Sequence, residues 1–278
     1  MLDNYRPIGV FDSGYGGLTV LRSVIDELPQ YDYLYLGDNA RTPYGTRSFE
    51  VVYEYTLQAV EKLFEMGCHL VILACNTASA KALRTIQQRD LPNIDPTRRV
   101  LGVIRPSVER IPEVTRSGHV GILGTTGTVK SESYPMEIRK IPADHPVHTY
   151  QEACPMWVPI VENNEIGTPG ADYFVEKNVK LLLEKDAEID TVILGCTHYP
   201  LLSETIRKFL PEHVQLLEQG PIVADRLADY LKRHPEIEQK CTKGNSRRFL
   251  TTESVENFET RAGVFFGESL QAEHIHLS

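Results

Sequence analysis

Val71-Ile72-Leu73-Ala74-Cys75-Asn76-Thr77-Ala78 is a compact apolar run that ends in a cysteine and hydrogen-bonding side chains. Far downstream, Val192-Ile193-Leu194-Gly195-Cys196-Thr197-His198-Tyr199-Pro200 repeats it: Val-Ile-Leu, one small residue, a cysteine, then polar groups. An unbroken apolar run of this length, bounded by small residues, reads as a strand buried on both faces of a parallel sheet. Each cysteine then falls where strand gives way to loop, at the carboxyl edge where open α/β sheets bind ligands.

The opening of the chain is repeated in the same way. Ile8-Gly9-Val10-Phe11 runs into Asp12-Ser13-Gly14-Tyr15-Gly16-Gly17, and His119-Val120-Gly121-Ile122-Leu123-Gly124 runs into Thr125-Thr126-Gly127-Thr128. Glycines there permit a sharp turn and leave amides open at a helix start, where anions are favoured. The interval from Gly9 to Gly121 is close to that from Cys75 to Cys196, which predicts two related halves.

Between these landmarks the pattern alternates. Tyr33-Leu34-Tyr35-Leu36 reads as a strand leading into the turn-rich loop 37–45, and Val52, Tyr55, Ala59, Val60 and Leu63 trace one helical face. Val100-Leu101-Gly102-Val103 reads as a strand, and residues 152–162 as a loop rich in turn formers. Val175, Val179, Leu182 and Leu183 mark the helix before the Cys196 strand. Val214-Gln215-Leu216-Leu217, a helix from Gly220-Pro221, a polar exposed loop at 234–246, a strand at 248–252 and a helix to Phe266 complete the alternation. The expected fold is α/β: two pseudo-symmetric domains with mainly parallel sheets. Residues 1–104 with 214–278 form a discontinuous first domain, and residues 105–213 form the second.

At 278 residues, with 41% hydrophobic and 24% charged content, the composition is that of a soluble globular protein. A net charge of −9 argues against nucleic acid as a primary ligand, because neutralising phosphates needs a basic face. No stretch has the length of a membrane span, and Met1 to Pro7 lacks signal-peptide character. Cys68, Cys75, Cys154, Cys196 and Cys241 are scattered outside metal-knuckle spacing, which fits reduced thiols in a cytoplasmic protein.

Four readings of the paired cysteines compete. The reducing compartment disfavours a disulfide, and Cys75, Cys196 and His198 supply too few ligands for zinc. Inert burial suits a lone cysteine, but repetition with polar followers argues against it. A single Cys-His pair, with Cys196 as nucleophile and His198 as base, suits acyl transfer by an amidohydrolase and leaves Cys75 unexplained. Two thiols on equivalent strand ends instead suggest an acid and a base on opposite sides of one carbon.

Asp12-Ser13-Gly14 with Gly16-Gly17, Ala74-Cys75-Asn76-Thr77-Ala78 and Gly195-Cys196-Thr197-His198-Tyr199-Pro200 resemble the signatures of the cofactor-independent glutamate racemases, in the aspartate/glutamate racemase superfamily. Residues 37–45 and 153–162 fit the same family, and the resemblance spans nearly the whole chain. It implies two domains with the active site in the cleft between them, and interconversion of L- and D-glutamate without pyridoxal phosphate, metal or nucleotide. It also implies a bacterial enzyme supplying peptidoglycan synthesis, and a homodimer. Aspartate racemase is the nearest alternative.

The same resemblance assigns roles. Cys75 acts on the α-proton of D-glutamate and Cys196 on that of L-glutamate, with Asp12 assisting Cys75 and His198 assisting Cys196. Glu162 matches a further acidic residue near the second cysteine. Asp12, Ser13, Tyr44, Gly45, Asn76, Thr77, Thr197 and His198 match substrate contacts, with Thr125 and Thr128 from the second half. None of these segments contains Arg or Lys, so glycine-turn amides, helix N-termini and hydroxyls are expected to hold the carboxylates. Arg105, at a strand end where the family varies, is read as a surface residue.

Overall fold

The computed structural model describes residues 5–142 and 146–277. In chain order its strands are β1 (Ile8–Asp12), β2 (Tyr33–Gly37), β3 (Leu70–Leu73), β4 (Arg99–Gly102), β5 (His119–Gly124), β6 (His148–Ala153), β7 (Thr191–Gly195), β8 (Gln215–Leu217), β9 (Arg247–Thr251) and β10 (Ala272–His274). They form two sheets, ordered β10-β9-β2-β1-β3-β4 and β6-β5-β7-β8. Every pairing among the described residues is parallel.

The run that carries Cys75 and the one that carries Cys196 are equivalent strands. The orders β2-β1-β3-β4 and β6-β5-β7-β8 coincide, and so does the register: Gly9 of β1 faces Val71 of β3 as Gly121 of β5 faces Val192 of β7. All residues of β1, β2, β3 and β7 are buried. Parallel strands covered by helices on both faces require such continuous apolar sequence.

Three segments differ from the expectations. Residues 152–162 are not one loop: β6 takes in 148–153, and Trp157–Glu162 is a short helix. The polar edge strand has no apolar run to announce it, and Pro155 and Pro159 mask the helical period. In the stretch 234–246, Ile237 and Cys241 are buried.

The third difference moves the return to the first half. β8 pairs with β7, so the second sheet continues through Leu217, beyond the anticipated boundary at 214. The helix Gln219–Arg233 then packs along Gly17–Glu27 of the first half. One of the buried apolar clusters thereby spans both halves, with Leu18 and Leu21 joining Leu123, Trp157 and Leu194. Arg105 is exposed and pairs with Glu109 at 2.7 Å and Glu137 at 3.3 Å, in keeping with a surface position.

Candidate active site

Cys75 follows β3 and caps the helix Asn76–Lys81. Its Sγ accepts a hydrogen bond from the Ala78 amide at 3.4 Å and lies 3.4 Å from Ser13 Oγ. Burial, reinforced by the negative charge of Asp12, pushes the thiol up to about 12, so it holds its proton at neutral pH. Asp12 ends β1 and is buried; Oδ2 accepts from the Gly14 amide at 3.0 Å, while Oδ1 has no partner among the described residues. Burial raises this carboxyl, against the opposing pull of His198 and the amides of Gly17 and Gly14. A desolvated carboxylate with one free oxygen is a stronger proton acceptor than a surface one.

Cys196 follows β7, and its Sγ lies 4.0 Å from His198 Nδ1. The other ring nitrogen of His198 is 2.9 Å from Glu162 Oε1. Burial alone pulls the imidazole down, but hydrogen bonding to Cys196 and Glu162 outweighs it and raises His198 to about 10. The site therefore holds a cation that a search for Arg and Lys misses, with Nε2–H donating to Glu162. The ring stands edge-on to Phe265, centroids 5.1 Å apart.

The carboxyl edges of the two sheets meet at these residues. Thr77 Oγ1 lies 3.0 Å from Thr125 Oγ1 and 3.4 Å from Thr128 Oγ1. The Thr19 hydroxyl donates to the Thr197 carbonyl at 3.1 Å. Gly16 packs so closely on Thr197 Oγ1 and the His198 ring that a Cβ would overlap both, and a Cβ on Gly45 would come within 3.0 Å of Thr125. Thus Asp12, Ser13, Gly45, Cys75, Thr77, Thr125, Thr128, Glu162, Cys196, Thr197 and His198 converge where the two halves meet.

Two anticipated contacts have their side chains otherwise engaged. The Tyr44 hydroxyl donates to Asp38, which also pairs with Arg41 Nε at 2.7 Å. The Asn76 amide donates to Gln219 Oε1 at 2.5 Å and accepts from the Tyr134 hydroxyl at 2.8 Å. Asp38, Tyr134 and Gln219 were not singled out by sequence. Tyr134 and Gln219 lie 58 and 143 residues from Asn76, so no local pattern marks them, whereas Asp38 sits in the same turn-rich loop as Tyr44 without a motif of its own. Among the described residues no group of three or more His, Cys, Asp or Glu is arranged to hold a metal, and no helix is long and apolar enough to cross a membrane.

Two buried thiols at equivalent strand ends, one under the influence of a carboxylate and one beside an imidazole, define the class: an α/β protein of two like halves that brings a cysteine from each to their meeting. The model of the Asp/Glu/Hydantoin racemase family matches residues 8–227, and the chain belongs to that family. It is 40% identical over 248 residues to a glutamate racemase of Geobacter metallireducens, covering 89% of this chain and 88% of the relative. Its fold is similar to that of a glutamate racemase isoform from Bacillus anthracis, with a TM-score of 0.87, 34% identity and coverage of 99% and 98%. It is also similar to a Francisella tularensis glutamate racemase solved in complex with D-glutamate, with a TM-score of 0.86, 30% identity and the same coverage.

Proposed function

We propose that this protein interconverts L-glutamate and D-glutamate by removing a proton from one face of the α-carbon and delivering another to the opposite face. The observation that carries the reading is the placing of Cys75 and Cys196 on register-equivalent strand ends with unlike partners. From L-glutamate, the Cys196 thiolate takes the α-proton and the Cys75 thiol gives up its own. In reverse, Cys75 must first shed its proton, and the acceptor we assign is Asp12, whose charge acts on that thiol and whose Oδ1 has no partner among the described residues. At the same time the His198 cation, held by Glu162, returns a proton to the Cys196 thiolate, which then delivers it to the opposite face of the α-carbon.

The hardest step creates a carbanion beside a carboxylate, so donors must favour the developing charge more than bound glutamate. The first-turn amides of Asn76 and Thr77 have no intrahelical acceptors. Together with the His198 cation and the hydroxyls of Ser13, Thr77, Thr125, Thr128 and Thr197, they are the donors of this cleft. Tyr44 and Asn76 shape the site rather than extending side chains into it. Glutamate as substrate is supported by the relatives named glutamate racemase; membership of the same family is what supports the bacterial cytoplasm and a homodimer, the latter readable by sedimentation.

In deuterated water, cofactor-free protein given L-glutamate is expected to form D-glutamate carrying α-deuterium, followed by circular dichroism and NMR. Cys75→Ala and Cys196→Ala should each abolish this. Normal turnover by either variant would overturn the two-thiol reading, and turnover of aspartate with glutamate inert would reassign the substrate.

A further inference from the structure

Asn76, Gln219 and Tyr134 close a ring of hydrogen bonds beside the catalytic cleft. Asn76 Nδ2 donates to Gln219 Oε1 at 2.5 Å, Gln219 Nε2 donates to the Tyr134 hydroxyl at 2.9 Å, and that hydroxyl donates to Asn76 Oδ1 at 2.8 Å. Each member gives one hydrogen bond and accepts one, in the same sense around the ring, so each bond polarises the next. The second hydrogen of Gln219 Nε2 reaches Ser107 Oγ at 2.8 Å, with the Val103 carbonyl 3.2 Å away. Asn76, Tyr134, Ser107 and Gln219 are all buried, so the ring is shielded from solvent.

Its placing gives it a role. Asn76 is the first residue of the helix that Cys75 caps. Tyr134 belongs to the second half, on the helix Ser133–Ile138. Ser107 lies on Ile104–Glu109, where the chain first crosses between the halves, and Gln219 opens the helix on which it returns. The ring thus ties the residue after one catalytic thiol to the opposite half and to both crossings. Among the described residues no equivalent ring lies beside Cys196, whose neighbour Thr197 is met by Thr19.

We propose that Gln219 and Tyr134 are positioning residues for Cys75: through Asn76 they fix the thiol against the α-carbon when the two halves are together. The proposal rests on the two-thiol racemase reading. A proton transfer misplaced by a fraction of an ångström is slowed, and about 1 Å costs roughly a hundredfold. Loosening the ring slows the Cys75 step and leaves the Cys196 step alone.

The test uses Gln219→Met and Tyr134→Phe in the full chain, with rates in both directions and primary isotope effects from α-deuterated D- and L-glutamate. The expected result is a fall in kcat/KM of about tenfold for both enantiomers. Alongside it, the isotope effect on D-glutamate, whose proton goes to Cys75, rises, while that on L-glutamate falls. Unchanged kcat/KM, or isotope effects that move together, would overturn the proposal, since general loosening weakens both steps alike. Tyr134→Phe keeps the ring's volume and removes one hydroxyl, so it reads the same quantity should Gln219→Met fail to fold. A wild-type protein that incorporates no α-deuterium would sink the racemase reading itself; a wild type that does, with variants of unaltered isotope effects, would sink only the ring.

Discussion

His198 binds its proton more tightly in the folded protein than an ordinary histidine does. Its value rises from 6.5 to about 10, with burial opposing and the hydrogen bonds to Cys196 and Glu162 prevailing. The folded state therefore holds a proton that the unfolded chain releases above 6.5. The resulting stabilisation is complete below that pH and is lost as pH rises toward 10. We predict that the urea midpoint of the wild type declines between pH 6.5 and 9, and that His198→Gln flattens part of the decline. A variant whose midpoint follows pH as steeply as the wild type's would refute the assignment. Cys75, raised from 9.0 to about 12, adds its own loss above that window in both proteins. At this scale the cysteines, Asp12 and His198 were legible because each stands at the tip of an apolar run. Asn76 and Tyr44 were legible only as positions, since sequence does not reveal that Gln219 and Asp38 occupy their side chains.

The turn between β1 and the helix Gly17–Glu27 works by close approach. A methyl group on Gly16 would overlap Thr197 Oγ1 and the His198 ring, whereas one on Gly14 would find its nearest neighbour at 3.5 Å. Gly16→Ala is expected to displace His198 from Cys196 and lower kcat about tenfold or more, with Gly14→Ala losing distinctly less. Equal activity in the two variants, measured by circular dichroism, would show that the approach does not matter. Elements with fully buried strands were readable, because burial on both faces demands an unbroken apolar run. β6 was not: it lies at the sheet edge, and His148-Thr149-Tyr150-Gln151-Glu152-Ala153 alternates nothing that periodicity can detect. β10, three residues at an edge of the other sheet, is too short to leave a pattern.

Across the whole molecule, the repeat was visible in the spacing of Gly9, Cys75, Gly121 and Cys196, but the return point was not. The apolar strand β8 suits either sheet, and only its pairing with β7 decides. All five cysteines are buried, and on the two-thiol reading substrate reaches Cys75 and Cys196 when the halves part. We predict that saturating D-glutamate slows alkylation of these two by iodoacetamide, read by peptide mass spectrometry, well beyond any slowing at Cys68 and Cys241. Uniform protection of all five would indicate global stabilisation alone. The unlike partners of the two thiols, a carboxylate for one and an imidazole–carboxylate pair for the other, meet a thermodynamic limit. Mirror-image glutamates have equal free energies in achiral water, so kcat/KM must be the same for both at every pH. The broken symmetry of the fold can therefore decide which enantiomer is held longer and turned over more slowly, never which one accumulates.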